Sequence, residues 1–488
     1  MKQYLTRRIF VVFLAWLLLG CEALQAQNAW TVFSTSNSEI GGNTILAVTT
    51  DAKNNKWVGT NLGLCRLSGR TWTDYAMFNE KLQNQFVNCL SVDPKGHLWI
   101  GTDDYGVIEF DGVHWTEYTK QTREMSMKFI RSITFDRDGV CWIGVTLGGL
   151  VRFDGTSWKK YTASDSKLLS DFILCTAVDR NNVKWIGTND GLCLFDGRTW
   201  TAYTTRNSGL PHNIVPAVVL DAEGVAWLGT LGGLCRFDGS QWVVMNTDNS
   251  PLPDNQVSAL ALDGAGMLWI ATPKGVVMYD RKGHWHRLSD NSKTSPLNGT
   301  QLVAVDAQGN KWFGTAFNGL VRYSAHVVSG RVVDERGHAK EGITIRYGGN
   351  QTTTDKDGRY VVEVTNGSSL RLEPHVEGFE VTPSQREWAS VTASMLGQDF
   401  TVANGMAATG KSNERITVNP FLDQGYITIS TESSSAEVEF VDSQGKSIRT
   451  IPDYKSGNKI NITKMPKGVY TLYIRTTKGE KSLRFSLR

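Results

Sequence analysis

The chain is poor in the groups that do chemistry. Its 488 residues hold only 8 histidines and 7 cysteines. His97, His114, His212, His284, His286, His326, His338 and His375 neither repeat nor cluster along the chain, and no Cys-x-x-Cys pair occurs. Spacing therefore assembles neither a metal set nor a Ser-His-Asp arrangement, and no metal and no cofactor are expected. Charge of one sign is not in excess: 51 Lys+Arg stand against 48 Asp+Glu, formally +3. That excludes the footprint of a nucleic-acid or membrane-surface binder. Beyond the N-terminus no apolar run has membrane length, so no transmembrane segment is expected in the mature chain.

The N-terminus reads as a secretory signal over residues 1–26. Lys2, Arg7 and Arg8 precede the uncharged apolar run Ile9 to Leu19, which is too short to span a bilayer. Two cleavage readings compete. Leu18-Leu19-Gly20-Cys21 resembles a bacterial lipobox and would place a lipid on Cys21, although Leu19 stands where a small residue is usual. Cleavage after Ala26 would instead start the mature chain at Gln27.

What the chain has in quantity is a repeat. Trp57, Trp99, Trp142, Trp185, Trp227, Trp269 and Trp312 follow one another at steps of 42, 43, 43, 42, 42 and 43 residues, each opening a Trp-Ile-Gly-Thr-like phrase. A second series, Trp30, Trp72, Trp115, Trp158, Trp200, Trp242 and Trp285, keeps the same beat. A fixed period of this size, with several short strands per unit, predicts a β-propeller of one blade per period. Each unit divides into four alternating strands separated by turn residues, as in Asn88 to Tyr118 with Asp93-Pro94-Lys95-Gly96, Tyr105-Gly106 and Asp111-Gly112 as turns. The aspartates that open the first turn (Asp51, Asp93, Asp136, Asp179, Asp221, Asp263, Asp306) read as caps of their own backbone and not as calcium ligands, since no turn gathers a cluster of oxygens. Cys65, Cys193 and Cys235 share a repeat position held elsewhere by Ile108, Val151, Val277 and Val321. They read as unpaired core thiols, too far apart for disulfides. The last period ends at Tyr323 without an outer strand, and Trp30-Thr31-Val32-Phe33 is an outer strand without a blade. These two are expected to pair and close a seven-bladed ring over residues 28–325.

The phrase Asp-x-x-Gly-x-x-Trp-Ile-Gly-Thr-x-x-Gly-Leu-x-Arg-Phe-Asp-Gly resembles the propeller repeat of bacterial two-component regulators. In that family such propellers form the exported sensor part of hybrid histidine kinases, often responding to glycans. This chain departs from it in having one propeller and neither a membrane span nor a kinase. Propeller geometry puts the turn after Gly-Thr and the blade-linking loops (119–128, 204–213, 246–255 and 288–299) on one face. Candidate ligand-binding residues there are Asn61, Asp103, Asp104, Tyr105, Asn189, Asp190, His212, Lys274, Phe317 and Asn318. Their mixture of acid, amide and aromatic groups suits a glycan or a protein ligand. No catalytic residue is assigned. The expected function is that of an exported, non-catalytic binding protein. A propeller-fold polysaccharide lyase or hydrolase, and a periplasmic or lipid-anchored sensor-like propeller without a kinase, are the alternatives.

After Tyr323 the beat stops. Gly330-Arg331-Val332-Val333-Asp334 and Thr354-Asp355-Lys356-Asp357-Gly358-Arg359-Tyr360 belong to short alternating strands that predict a small β-sandwich over 326–402, with Trp388 packed in it. These elements resemble the carboxypeptidase-regulatory-like domain, which implies a spacer. Residues 403–415 are small and polar and predict a flexible linker. Residues 416–488 predict a second Ig-like sandwich, making the whole chain all-β. Asn419-Pro420, Asp442-Ser443-Gln444-Gly445-Lys446 and Pro466-Lys467-Gly468-Val469-Tyr470 resemble the C-terminal sorting domain of type IX secretion. That resemblance implies a Bacteroidetes-like host and recognition by the type IX secretion machinery. It further implies delivery to the outer-membrane surface or the exterior, with removal of the domain on arrival. A lipid on Cys21 fits this route poorly, which favours cleavage after Ala26.

Overall fold

The computed structural model describes residues 29–118, 128–288, 295–376, 379–407, 409–410, 416–421 and 425–487. The signal segment, both cleavage readings and Cys21 lie outside the described residues. The rest is β-structure apart from two single 3-10 turns, Ala76–Phe78 and Glu80–Leu82.

Seven four-stranded antiparallel sheets make up the first unit. Blade 1 runs from an inner strand Ile45–Thr50 through Lys56–Thr60 and Gly63–Ser68 to an outer strand Thr71–Asp74. Blades 2 to 6 repeat this order, and the inner strands contact one another in cyclic order, blade 7 returning to blade 1. Blade 7 takes its outer strand from the start of the chain: Trp30–Phe33 pairs with Leu320–Tyr323 in the register Trp30↔Tyr323 to Phe33↔Leu320. The expected closure is thus observed.

Each Trp-Ile-Gly-Thr phrase is the second strand of its blade, buried along its whole length. Its tryptophan fills the seam with the next blade: Trp57 meets Phe110, Trp142 meets Phe195, and Trp312 joins Cys65, Leu67 and Trp72. The second tryptophan series stacks within its own blade, with ring centroids 4.2 Å apart for Phe110–Trp115 and 4.0 Å for Phe237–Trp242. The glycine of the phrase faces the next inner strand. A Cβ on Gly187 would stand 2.2 Å from the Val215 carbonyl oxygen. Blade 6 has Ala271 there, opposite Ala259.

The aspartate of the first turn does two jobs. In blade 3, Asp136 Oδ1 accepts the Asp138 and Val140 backbone N–H groups at 3.1 and 3.0 Å, and its Oδ2 accepts the Trp142 indole N–H at 2.8 Å. The indole bond recurs at Asp51, Asp93, Asp179, Asp221, Asp263 and Asp306. The capping role was expected; the indole partner was not. It gives the buried tryptophan N–H an acceptor, which a seam otherwise lacks. The fourth residue of every turn is left-handed, and is glycine or asparagine in every case (Asn54, Gly96, Gly139, Asn182, Gly224, Gly266, Gly309). Six described cysteines are unpaired, as expected.

The second unit begins at Val327. It has two hydrophobic cores. One gathers Val328, Val332, Ile345, Tyr360, Leu372 and Phe400, with Trp388 packed against it; the other gathers Val418, Ile427, Val438, Phe440, Leu472 and Phe485. Two small sandwiches were expected, joined by a flexible linker at 403–415. The linker is corrected in part: strand Phe400–Ala407 runs into it and pairs with Thr417–Phe421, while Thr409–Gly410 pairs with the strand Gly479–Leu487. A small, polar composition predicts flexibility, but here neighbouring strands supply the backbone hydrogen-bond partners. Residues 411–415 lie outside the described residues.

Candidate functional site

The inner strands decide what faces the propeller axis. In blades 1, 2, 3, 4 and 7 the inner strand carries a β-bulge at its start, as between Ile130 and Ser132. The residue skipped by the register is turned to the axis. Together with its equivalents in blades 5 and 6, this forms a ring of Leu46, Asn88, Arg131, Leu174, Pro216, Ser258 and Gln301. A partial second ring comes from the residue just after the second strand in blades 3, 5, 6 and 7: Thr146, Leu231, Pro273 and Ala316. The two rings line an axial mouth of about 760 Å³, to which all seven blades contribute.

The mouth is mixed in character. Amide and hydroxyl groups of Asn88, Gln256, Ser258 and Gln301 alternate with Leu46, Phe172, Leu174, Ile214 and Pro216. Arg131 is its one ionisable group among the described residues, and the guanidinium is exposed. Thr146 Oγ1 and Asn61 Oδ1 are buried polar atoms with no hydrogen-bond partner among the described residues.

None of the ten candidates from the sequence lines the mouth; they surround it. Asn61, Asp103 and Asn189 occupy the same turn position as Thr146 in their own blades. The Asp103 carboxylate accepts from the amide of Asn88 and so fixes a mouth residue. Asp104 pairs with Lys128 at 3.3 Å, and Lys274 with Asp254 at 3.1 Å. Burial pushes the Asp254 carboxyl up, but the Gln256 N–H and the Lys274 ammonium together hold it below the usual range. Asp190 accepts from Asn213 Nδ2 at 3.2 Å. His212 Nδ1 accepts the Ile214 N–H at 3.0 Å, and Asn318 Nδ2 donates to the Asn298 carbonyl at 3.2 Å. Tyr105 is half-exposed under the Lys81 ammonium, and Phe317 is 80% exposed. The linking loops 204–213 and 246–255 share one fold: Thr205 N–H meets Asn213 Oδ1, and Thr247 N–H meets Asn255 Oδ1.

A pattern missed by residue-type reasoning is the apolar rim. Leu62, Met77, Phe78, Phe86, Phe129, Leu147 and Phe317 are all exposed, on the turns and linking segments of blades 7, 1, 2 and 3. Met77 and Phe78 sit on the 3-10 turn that replaces the common loop fold between blades 1 and 2. The signal was available: an apolar residue in a turn has no core to enter.

At the opposite end of blade 2, one histidine does cluster, against the expectation from spacing. His97 Nδ1 lies 2.6 Å from Glu109 Oε1 and 3.8 Å from Asp93 Oδ2. Tyr118 donates its hydroxyl to Glu109 Oε2. Burial, the Glu109 bond and the surrounding negative charge push the Tyr118 phenol well above its ordinary value. His97 and Glu109 are 12 residues apart in sequence and meet because Leu98 pairs with Phe110 across adjacent strands.

Comparison with known proteins places these features. Residues 419–487 match the family model of the secretion system C-terminal sorting domain, and residues 81–104 and 251–274 match that of the two component regulator propeller. The chain thus carries regulator-type propeller repeats and a type IX sorting domain. No curated protein matches by sequence. Among solved structures, the chain is similar to the extracellular domain of a B. thetaiotaomicron protein assigned as a hybrid two component system. Identity is 18% and TM-score 0.54, over 94% of this chain and 57% of that one, so the chain spans little more than half its length. It is also similar to virginiamycin B lyase from Staphylococcus aureus, at 13% identity and TM-score 0.50, over 60% of this chain and 98% of that one. At these identities the likeness concerns the fold. The sorting domain implies export to the cell surface or outer membrane, and no helix among the described residues is long and apolar enough to cross a membrane.

Proposed function

We propose that this type IX-exported propeller is a non-catalytic surface binding protein, and that its axial mouth and apolar rim take an extended segment of another protein. The observation that carries this reading is the rim itself: Leu62, Met77, Phe78, Phe86, Phe129, Leu147 and Phe317 exposed on one side of the mixed polar and apolar mouth. Leucine, methionine and phenylalanine side chains offer adaptable apolar contact to a polypeptide, whereas sugars stack on flat indole and phenol rings. The repeating tryptophans are used in blade packing. The carboxamides of Asn88, Gln256 and Gln301 can pair with peptide N–H and C=O groups.

Lyase or hydrolase chemistry is the weaker reading. Arg131 is the sole ionisable lining residue among those described, and a guanidinium does not exchange a proton at neutral pH. In this account the sandwich at 326–402 is a spacer, and residues 416–488 are what the secretion machinery recognises. The reading is tested by selecting a random-sequence peptide library on the purified full chain, with a glycan array probed in parallel. Enrichment of peptides rich in apolar residues is the expected outcome. Saturable binding of oligosaccharides with no peptide enrichment overturns it.

A further inference from the structure

The cluster at the far end of blade 2 differs from its counterparts in the other six blades. The residue cross-strand from the seam tryptophan is Arg66, Arg152, Arg236 or Arg322 in four blades and Leu194 or Met278 in two; in blade 2 it is Glu109. The residue four after the turn aspartate is Asn55, Asn310, Met267 or valine elsewhere, and in blade 2 it is His97. Blade 2 therefore alone brings an imidazole and a second carboxylate beside the turn aspartate.

Cations are missing where they are needed. Asp306 pairs with Lys56, Asp136 with Lys184 and Asp221 with Arg281, each cation coming from the next blade. At the position of Lys184, blade 3 carries Cys141, whose thiol burial pushes up so that it stays neutral. Asp93 and Glu109, 8% and 16% exposed, therefore share a half-buried site with no lysine or arginine salt-bridged to either among the described residues. Two carboxylates in such a place call for a positive charge.

We propose that blade 2 holds a divalent transition-metal cation between His97 Nδ1, a Glu109 carboxylate oxygen and Asp93 Oδ2. These ligand atoms lie within 4.8 Å of one another. Tetrahedral ligands about 2.0–2.1 Å from an ion stand roughly 3.3–3.4 Å apart. For an ion to enter, the His97–Glu109 approach of 2.6 Å would open and the His97–Asp93 distance of 3.8 Å would close, with Asp93 Oδ2 keeping or releasing the Trp99 indole. The 29% exposure of His97 leaves a path for the ion and for a water ligand. One imidazole with two carboxylates suits zinc or manganese, whereas calcium takes six or more oxygens. The site is remote from the axial mouth and independent of the ligand proposed there.

The test is calorimetric titration of the untagged full chain with zinc chloride, repeated on His97→Val and Glu109→Arg. Both substitutions install residues that other blades already carry at the same place (Val140, Val183 and Val225; Arg66, Arg152, Arg236 and Arg322), so the ring has precedent for each. The wild type is expected to bind one zinc ion saturably, and each variant to bind at least about tenfold more weakly. Zinc should also raise the melting temperature of the wild type and leave that of His97→Val unchanged. Equal zinc binding by wild type and variants overturns the proposal. So does the lack of any saturable zinc site in the wild type. Calcium binding in place of zinc overturns it as well.

Discussion

The recurrent unit of this fold is a pair, Asp136 with Trp142, seen seven times over. The aspartate ties the turn and the indole together, so that the seam between blades and the turn at its end form as one. Truncating Trp142 to alanine removes a buried ring from the seam with blade 4 and is expected to cost about 3–5 kcal/mol, read by urea denaturation. Asp136→Ala keeps the ring but strands two backbone N–H groups, the indole N–H and the Lys184 ammonium. It should cost about 1–3 kcal/mol or more. An Asp136→Ala variant as stable as wild type would remove the indole bond from this account. The same aspartates make the ring sensitive to acid. Burial pushes the Asp51, Asp221 and Asp306 carboxyls up, but hydrogen bonds from Asn55, Val225 and Asn310, the indoles, and the Arg281 and Lys56 cations outweigh it and hold all three below their ordinary value. A carboxyl depressed in the folded state contributes stability that is present above the unfolded value near 4 and is lost as pH falls through the folded value. Thermal stability should therefore be flat from pH 7 to about 5 and fall below about 4. A melting temperature unchanged at pH 3 would contradict this. The thiols report the same core: burial raises Cys89 and Cys175 to about 12, so neither should react with iodoacetamide at pH 8 while the ring is folded.

At the scale of the element, the strand Trp30–Phe33 joins the two ends of the ring. Deleting it exposes the edge of Leu320–Tyr323 and removes the Trp30 ring from Tyr323, 4.4 Å away. The melting temperature should drop and the transition broaden; an unchanged melt would mean that blade 7 closes by other contacts. This strand was legible in the sequence, because a lone Trp-x-x-Phe before the first blade matches a missing outer strand after the last. So were the blades, because a 42–43-residue period carries its turn residues at fixed places. The ring of residues in the axial mouth was not. Ile130-Arg131-Ser132 reads as ordinary alternation, and only the bulge in the register turns Arg131 to the axis. Of the candidate residues taken from the short turns, none lines the mouth, although Asn61, Asp103 and Asn189 share the turn position of Thr146. The pairing of His97 with Glu109 was hidden for another reason: it is made across neighbouring strands, not along one. Its trace was a glutamate, in blade 2 alone, at a third-strand position held by arginine in four blades and by Leu194 or Met278 in two. The strand through 400–407 was obscured by composition, since Asn404-Gly405 looks like a linker until a neighbouring strand provides its partners.

For the whole molecule, address and binding are separable. Fusing residues 416–488 to a secreted reporter should carry it to the surface of a host with type IX secretion; a reporter retained in the periplasm would contradict the assignment of that segment. The binding proposed above is assigned to the other unit. The most direct measurement is fluorescence anisotropy of library-selected peptides against the full chain, comparing wild type with Leu147→Ser/Phe317→Ser on the rim, Arg131→Ala in the mouth, and Val243→Ser, an exposed apolar residue on the outer strand of blade 5. Affinity is expected to weaken by about tenfold or more in the rim and mouth variants, about 1.4 kcal/mol, and to be unchanged by Val243→Ser. Equal affinity across all four proteins would place the binding surface elsewhere and contradict the central claim.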